Sequence, residues 1–207
     1  MTTRAEQIPQ QIIRRIESHN PGTVFVAADF FDLGEKEAVR KAIARLCKSG
    51  VLIKFMRGLY LKPEYSAVLE KTLAARPEEV AQALARNYNW TISPYGETAL
   101  NQLGLSTQVP AVYRYVSNGP YKEYEYDNFK LRFDHRVNRE TTTLSPKTRL
   151  VIHALKALGS DRVDDAVIGQ LSIALSADEK LKLVEETQYA TAWINDVALR
   201  VQNKIDD

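Results

Sequence analysis

The segment Glu35–Pro63 constrains the fold of this chain more than any other, because it joins a basic amphipathic helix to a tight hairpin. Its apolar residues follow the i, i+3, i+4, i+7, i+8 spacing, which predicts a helix with one buried stripe. Gly50 stands where glycine commonly ends a helix. The residues of the predicted stripe are Val39, Ala42, Ile43, Leu46 and Cys47.

A hairpin is predicted directly after this helix. Two runs rich in aliphatic, aromatic and β-branched residues, Val51–Met56 and Leu59–Lys62, are separated only by Arg57-Gly58. A two-residue connection between such runs is typical of a tight β-turn, in which Gly58 supplies the positive φ. Arg57 is therefore predicted to lie at the hairpin tip.

Basic residues occupy the polar side of the predicted helix. Ala44 lies among them and leaves a low surface that a base edge or a thymine methyl group can approach. Lysine and arginine in this arrangement suit contact with phosphate, although a solvated helix face has the same composition. The predicted DNA-binding residues are Lys36, Arg40, Lys41, Arg45, Lys48 and Arg57.

The residues upstream complete a winged helix-turn-helix over residues 1–63. Isoleucines at positions 8, 12, 13 and 16 predict a first amphipathic helix. Val24–Val26 is predicted as a short strand and Ala27–Leu33 as a short helix, with a turn at Gly34. Residues 1–62 contain 11 Lys and Arg against 6 Asp and Glu, whereas residues 63–207 contain 17 against 20. A basic module on a mildly acidic remainder favours nucleic-acid contact.

The pattern after Pro63 predicts a second, α+β domain over residues 64–207. We expect a partly helical connector, a helix over Pro77–Arg86 and another that opens at Ser93-Pro94. Strands separated by turns over residues 109–134 predict an antiparallel meander. Capping signals predict helices that begin at Ser145-Pro146, near Val163, and at Ser176, the last extending to Ile205.

Catalytic and metal-binding patterns are missing from the sequence, so no enzymatic activity and no cofactor are predicted. There is no P-loop, no G-x-S-x-G motif and no H-E-x-x-H motif. The aspartates at 161, 164 and 165 are explained by a helix start, and His153 by an interior hydrogen bond. The single cysteine, Cys47, is predicted as a core residue. Without a leader or an apolar run of bilayer length, we expect a cytoplasmic protein without membrane contact.

Two features leave the choice of ligand open. Five tyrosines between residues 113 and 126 invite a base-stacking interpretation, although residues two apart on a strand also build a half-buried sheet. A second basic segment, Lys130–Arg149, is equally consistent with a surface for tRNA, DNA or a protein partner and with an ordinary solvated surface. Its cationic residues are Lys130, Arg132, Arg136, Arg139, Lys147 and Arg149.

Two stretches, VRKAIARLCKSGVLIKFMRGLYLKP at 39–63 and ISPYGETALNQLGLSTQVP at 92–110, resemble the AbiEi-type antitoxins and related regulators of viral defence systems. The resemblance implies a type IV toxin-antitoxin pair in which the winged helix binds the operon's own promoter and represses it. It also implies that the C-terminal domain counters a nucleotidyltransferase toxin without requiring a stable complex. The alternative is a module whose winged helix contacts protein, or whose tyrosine-bearing sheet binds RNA. The oligomeric state is not predicted.

Overall fold

The computed structural model describes residues 4–136 and 143–204, and their fold is mixed α+β. Helices are combined with three small sheets of three, two and four strands. Internal contacts divide the chain into two compact units. The first contains residues 1–90 and 126–128, and the second contains residues 91–125 and 129–207.

Three helical segments build the core of the first unit: α1 (Arg4–Glu17), a 3₁₀ helix (Ala27–Leu33) and α2 (Lys36–Lys48). Isoleucines 8, 12 and 16 of α1 pack with Phe30 of the 3₁₀ helix and with the apolar stripe of α2. The predicted short helix after the first strand is thus present in its tighter 3₁₀ form. The apolar spacing correctly predicted α1 and α2 because each helix buries one stripe.

A three-stranded sheet completes this core. Strands β1 (Val24–Val26), β2 (Ile53–Met56) and β3 (Leu59–Leu61) lie in the order β1-β3-β2, and both pairs are antiparallel. Met56 pairs with Leu59, so Arg57-Gly58 forms the predicted two-residue turn, and Gly58 has a φ of +81°. The register shifts between Lys54 and Met56, which leaves Phe55 in a bulge.

The residues after Pro63 form a small hairpin rather than the predicted partly helical connector. Its strands are β4 (Tyr65–Ser66) and β5 (Lys71–Thr72), and the helix α3 (Pro77–Tyr88) follows. Pro77 occupies the first turn of α3, as predicted, and the chain passes from the first unit to the second after Trp90. The sequence placed the domain boundary at Pro63, before α3. Apolar residues of α3, including Val80 and Leu84, are buried.

The second unit contains a four-stranded sheet with a different topology from the predicted antiparallel meander. Strands β6 (Ile92–Pro94), β7 (Tyr113–Ser117), β8 (Lys122–Tyr126) and β9 (Phe129–His135) lie in the order β6-β7-β9-β8. Strand β9 pairs with β7 in parallel, and β8 occupies the outer edge. The predicted antiparallel meander is wrong, because turn residues show only that the chain reverses direction. They do not specify which strand the following strand pairs with.

Helices pack together in the rest of the second unit: α4 (Glu97–Gln102), α5 (Pro146–Leu158), α6 (Asp165–Ala174), α7 (Ala177–Thr187) and α8 (Ala192–Asn203). Their core includes Leu100, Val151, Leu155, Leu171 and Val201. Ser145 caps α5 and Ser176 caps α7, as the sequence predicted.

Two helix predictions in this unit are wrong. Ser93-Pro94 ends strand β6, since the chain is held to β7 there and α4 begins only at Glu97. The long final helix is two helices, α7 and α8, with a break between Thr187 and Ala192. Ile205, predicted at the end of that helix, lies outside the described residues. In the described part of the chain no helix is long and apolar enough to span a bilayer.

Candidate nucleic-acid interface

Helix α2 has an apolar face and, on the opposite side, a basic face. Val39 and Ile43 are 0% and 1% exposed, and they anchor the helix to the core of the first unit. Ala44 is exposed among the cations, as the sequence predicted. The face opposite the core carries Lys36, Arg40, Lys41, Arg45 and Lys48, all of them exposed.

The basic side chains of α2 fall into two groups by their contacts. At the start of the helix, Lys36 Nζ and Arg40 Cζ lie 5.5 and 5.8 Å from the centroid of the Phe31 ring. Lys41 Nζ is 3.9 Å from Glu37 Oε1 in an exposed pair, which contributes little to stability. At the end of the helix, Arg45 and Lys48 form no ion pair with any acidic residue in the described parts of the chain. These two cations also interact favourably with the helix dipole.

The hairpin follows α2 directly and adds a further exposed cation. Leu52 N donates to the Leu46 carbonyl at 3.3 Å, which joins the end of α2 to the start of the hairpin. Arg57 is exposed at the tip, as predicted, and it forms no ion pair with the described residues. The end of α2 and the tip of the hairpin therefore present positive charges that no acidic residue in the described parts of the chain neutralises.

Side chains between α2 and the hairpin reveal one cation that sequence reasoning missed. Burial raises the pKa of the Cys47 thiol, and the charge of nearby Lys54 acts in the opposite direction. Lys54 is exposed in β2 and pairs with Tyr60 across the hairpin. Its position in an edge strand, polar between apolar neighbours, is the signal that could have identified it. Cys47, predicted as a core residue, is half-buried and packs against the core of the first unit.

Other basic residues of the first unit have structural contacts. Lys62 Nζ donates to three carbonyls near the end of α1, with the shortest distance 2.6 Å to His19 O. Arg15 donates to both carboxylate oxygens of Asp32 at 2.7 Å, and the guanidinium holds the pKa of that carboxyl below its ordinary value. These contacts distinguish cations that stabilise the fold from cations that remain available.

Helix α3 contributes an anchor that was also missed. Arg86 Nε donates to Asp29 Oδ1 at 3.1 Å, and its Nη2 donates to the Val24 carbonyl at 2.8 Å. Asp29 in turn accepts from Val26 N at 2.9 Å, at the start of the 3₁₀ helix. Arg86 lies 57 residues from Asp29 in sequence, so no local pattern could indicate this contact. The first unit is therefore secured by α3, beyond residue 63.

The predicted basic segment Lys130–Arg149 of the second unit is neutralised in part. Lys130 Nζ lies 2.9 Å from Glu125 Oε1, and Arg132 Nε donates to Asp134 Oδ1 at 2.9 Å. Arg149 is 7% exposed, and burial lowers the pKa of its guanidinium. Arg136 is exposed, and Lys147 is half-buried. Arg139 lies outside the described residues.

The tyrosines of the sheet are for the most part structural. Tyr113, Tyr115 and Tyr126 are buried, and the Tyr126 hydroxyl donates to the Ala75 carbonyl at 3.1 Å. Tyr121 is half exposed, but its ring is covered by Arg132, whose Cζ lies 4.9 Å from the ring centroid. The sheet therefore offers few open aromatic faces for bases.

Histidines and carboxylates have local roles in the described structure. His153 Nδ1 lies 2.9 Å from the Pro94 carbonyl, in agreement with the interior hydrogen bond expected for it. Asp164 caps α6 by accepting from Val167 N at 2.9 Å. Within residues 4–136 and 143–204, no three His, Cys, Asp or Glu side chains are grouped to hold a metal ion.

Comparisons with known proteins identify a family and a distant structural neighbour. No curated protein matches the chain. The crystal structure of the Rv2827c protein from Mycobacterium tuberculosis aligns with 98% of this chain and 77% of its own, at 15% identity and a TM-score of 0.42. Residues 11–183 match the family of unknown function DUF6088. The chain belongs to that family.

Proposed function

We propose that the first unit is a winged helix-turn-helix that binds duplex DNA, and that the protein regulates transcription. In this proposal the 3₁₀ helix and α2 form the helix-turn-helix, α2 enters the major groove, and the β2–β3 hairpin is the wing. The observation that carries the proposal is the continuous set of exposed cations on α2 and the hairpin. Arg45, Lys48 and Arg57 stand without acidic partners among the described residues.

The chemistry of this surface suits a polyanion. Lysine and arginine that neutralise phosphates release condensed counterions, and this release drives association. Ala44 leaves a low spot between the cations, where a base edge can approach. Lys54 adds a positive charge on the strand beside α2 and extends the surface from the helix to the hairpin.

Binding of the full chain to its own upstream DNA tests the proposal. We expect affinity to fall with salt, with a slope of log K against log [salt] near −0.9 per neutralised phosphate and about four to six contacts. Lys41→Glu with Arg45→Glu should lower affinity about 100-fold, because attraction at two phosphates becomes repulsion. Binding is measured by fluorescence anisotropy over a salt series.

A matched control makes the same change of charge elsewhere. Lys122→Glu with Lys182→Glu replaces two exposed lysines of the second unit, and we expect an affinity change below about threefold. Affinity that does not depend on salt, or equal losses in both double variants, would contradict DNA binding through α2. Preference for single-stranded RNA over duplex DNA would support the alternative RNA-binding function. Retained repression without DNA binding would favour a protein-binding winged helix.

We further propose that the protein is the antitoxin of a type IV toxin-antitoxin pair and represses its own operon. This proposal rests on the AbiEi resemblance of residues 39–63 and 92–110. The second unit is then responsible for protection against a nucleotidyltransferase toxin, for which no stable complex is required. Co-expression with a toxin encoded beside the gene tests this division. The Lys41→Glu, Arg45→Glu variant should lose repression and keep protection. Loss of protection in that variant, at equal abundance and with the fold intact, would make α2 a toxin-binding surface instead.

A further inference from the structure

Three arginines and two tyrosines surround Asp134 on one face of the second unit's sheet. Arg114 of β7 stands directly opposite Arg132 of β9 in the parallel pairing. Side chains at such paired positions project from the same face, and like charges directly opposite destabilise a sheet. Arg136 follows the end of β9, and its Cζ lies 5.4 Å from the centroid of the Tyr95 ring.

Asp134 forms a direct ion pair with one of these arginines, Arg132, and the charge of Arg114 also acts on its carboxyl group. Arg132 Nε donates to Asp134 Oδ1 at 2.9 Å, and Arg132 Nη1 lies 3.8 Å from Glu123 Oε1. The Tyr95 hydroxyl donates to the other carboxylate oxygen, Asp134 Oδ2. The two oxygens of Asp134 and the guanidinium of Arg132 are therefore already engaged with each other and with Tyr95.

Arg114 and Arg136 both lie beside Tyr95, outside the direct ion pair of Asp134 with Arg132. Both are exposed, and neither forms an ion pair with an acidic residue within 4–136 or 143–204. Burial raises the pKa of the Tyr95 phenol, whereas a hydrogen bond from the Arg114 side chain and its charge act in the opposite direction. Arg136 lies over the ring of the same tyrosine. Tyr95 thus brings two guanidinium groups to one place, while Asp134 holds the phenol in position.

We propose that Arg114 and Arg136 form a binding site for a phosphomonoester, that is, a terminal phosphate. Guanidinium groups bind phosphate oxygens in paired hydrogen bonds, and two of them match the charge of a phosphomonoester dianion. The rings of Tyr95 and Tyr121 are covered by arginines, so the site recognises the phosphate and not a stacked base. The site lies in the second unit, whereas the surface proposed for duplex DNA lies in the first.

Calorimetric titration of the full chain tests this site with AMP, adenosine and inorganic phosphate. We expect AMP and phosphate to bind and adenosine not to bind. A 5′-phosphorylated trinucleotide compared with its 5′-hydroxyl form shows whether the phosphate is also accepted from a nucleic-acid end. Arg114→Gln with Arg136→Gln should weaken AMP binding at least tenfold, roughly the loss of one charge-assisted hydrogen bond.

Two controls separate this site from the fold and from the DNA surface. Arg200→Gln removes an exposed arginine of α8 that pairs with Asp165, and it should leave AMP binding unchanged. Lys41→Gln with Arg45→Gln should weaken DNA binding and also leave AMP binding unchanged. Arg136 lies beyond the last residue of β9, so Arg136→Gln alone tests the role of this guanidinium in AMP binding without changing a residue of the paired strands.

Specific outcomes overturn the proposal. AMP and phosphate that fail to bind the full chain below about 1 mM, or adenosine that binds as well as AMP, would exclude a phosphomonoester site. Unchanged AMP affinity in the folded double variant would place binding elsewhere. If the parent chain does not bind AMP, and the Arg114→Gln, Arg136→Gln variant binds duplex DNA without terminal phosphates more weakly than the parent, the two arginines are a second DNA contact instead.

Discussion

Helix α2 with its hairpin and the segment Lys130–Arg149 contain the same kinds of basic residue, but the fold uses them differently. On α2 and the hairpin, Arg45, Lys48 and Arg57 point to solvent without acidic partners among the described residues. In the second region, Lys130 and Arg132 are paired with carboxylates, and Arg149 is buried. The number of cations in a segment therefore does not measure its capacity to bind a polyanion.

The difference follows from the neighbours that each fold provides. Helix α2 buries one stripe and leaves its opposite face without acidic neighbours beyond its first turn, where Glu37 lies. Strand β9 lies between β7 and β8, and the acidic residues of β8 reach its cations across the sheet. A sheet brings charges from several segments together, whereas one face of a helix is supplied by a single segment. The following predictions test this contrast, beginning with the largest effect.

Removing the buried cation should affect stability most. Arg149→Ala should lower the free energy of unfolding by about 3 kcal/mol, because it removes a buried side chain from the core and leaves the Glu186 carboxylate without the guanidinium charge near it. The exposed control Arg45→Ala should change it by less than about 0.5 kcal/mol. Urea denaturation of both variants measures the difference. Equal effects would show that the two regions hold their arginines in the same way.

The hairpin that presents Arg57 should depend on its glycine. Gly58→Val should cost about 2 kcal/mol, since a β-branched residue is strained at a φ of +81°. A Cβ there would meet nothing closer than Asn87 Oδ1 at 4.0 Å, so the loss comes from the backbone conformation and not from a clash. Arg57→Val introduces the same side chain where φ is not positive, and it should be tolerated. Equal melting temperatures for the two variants would contradict this assignment of the turn.

The paired cations of the second region should make stability depend on pH through Asp134. Burial raises the pKa of this carboxyl, but hydrogen bonds from Tyr95 and Arg132 outweigh burial and hold it below its ordinary value. The stabilisation is therefore present above the unfolded pKa of about 3.9 and is lost as pH falls through the lower folded value. Asp134→Asn should cost about 1.5 kcal/mol at pH 7, and the difference from the parent should shrink below pH 4. A constant difference between pH 7 and pH 3 would contradict the mechanism.

The smallest expected effect is at the exposed tip of the hairpin. Arg57→Ala should weaken DNA binding by about threefold to fivefold and reduce the salt slope by about 0.9, as expected for one phosphate contact. Its melting temperature should match the parent, because Arg57 is exposed and forms no ion pair with the described residues. Lys122→Ala, an exposed lysine of the second unit, serves as the control. A loss of stability in Arg57→Ala, or equal DNA affinity in the two variants, would remove the tip from the proposed interface.

Local patterns in the sequence determined the elements whose form depends on near neighbours. The apolar spacing of Val39–Cys47 predicted α2 and its exposed basic face, and the two-residue gap with Gly58 predicted the hairpin. Ser145 and Ser176 marked true helix starts, because a cap is satisfied by backbone groups three residues away. The exposure of the predicted DNA-binding residues of α2 followed from the same helical period, and that of Arg57 followed from its place in the turn.

Only the tertiary structure decided which segments meet. The pairing of β7 with β9, the anchoring of Asp29 by Arg86 and the burial of Arg149 all depend on residues distant in sequence. Ser93-Pro94 has the form of a helix start, yet pairing with β7 holds it in a strand. Periodicity and turn chemistry act over a few residues, whereas the choice of partner depends on the packing free energy of the whole unit. The sequence alone therefore identified the basic helix and its hairpin, and the fold decided which cations in the chain remain available to bind.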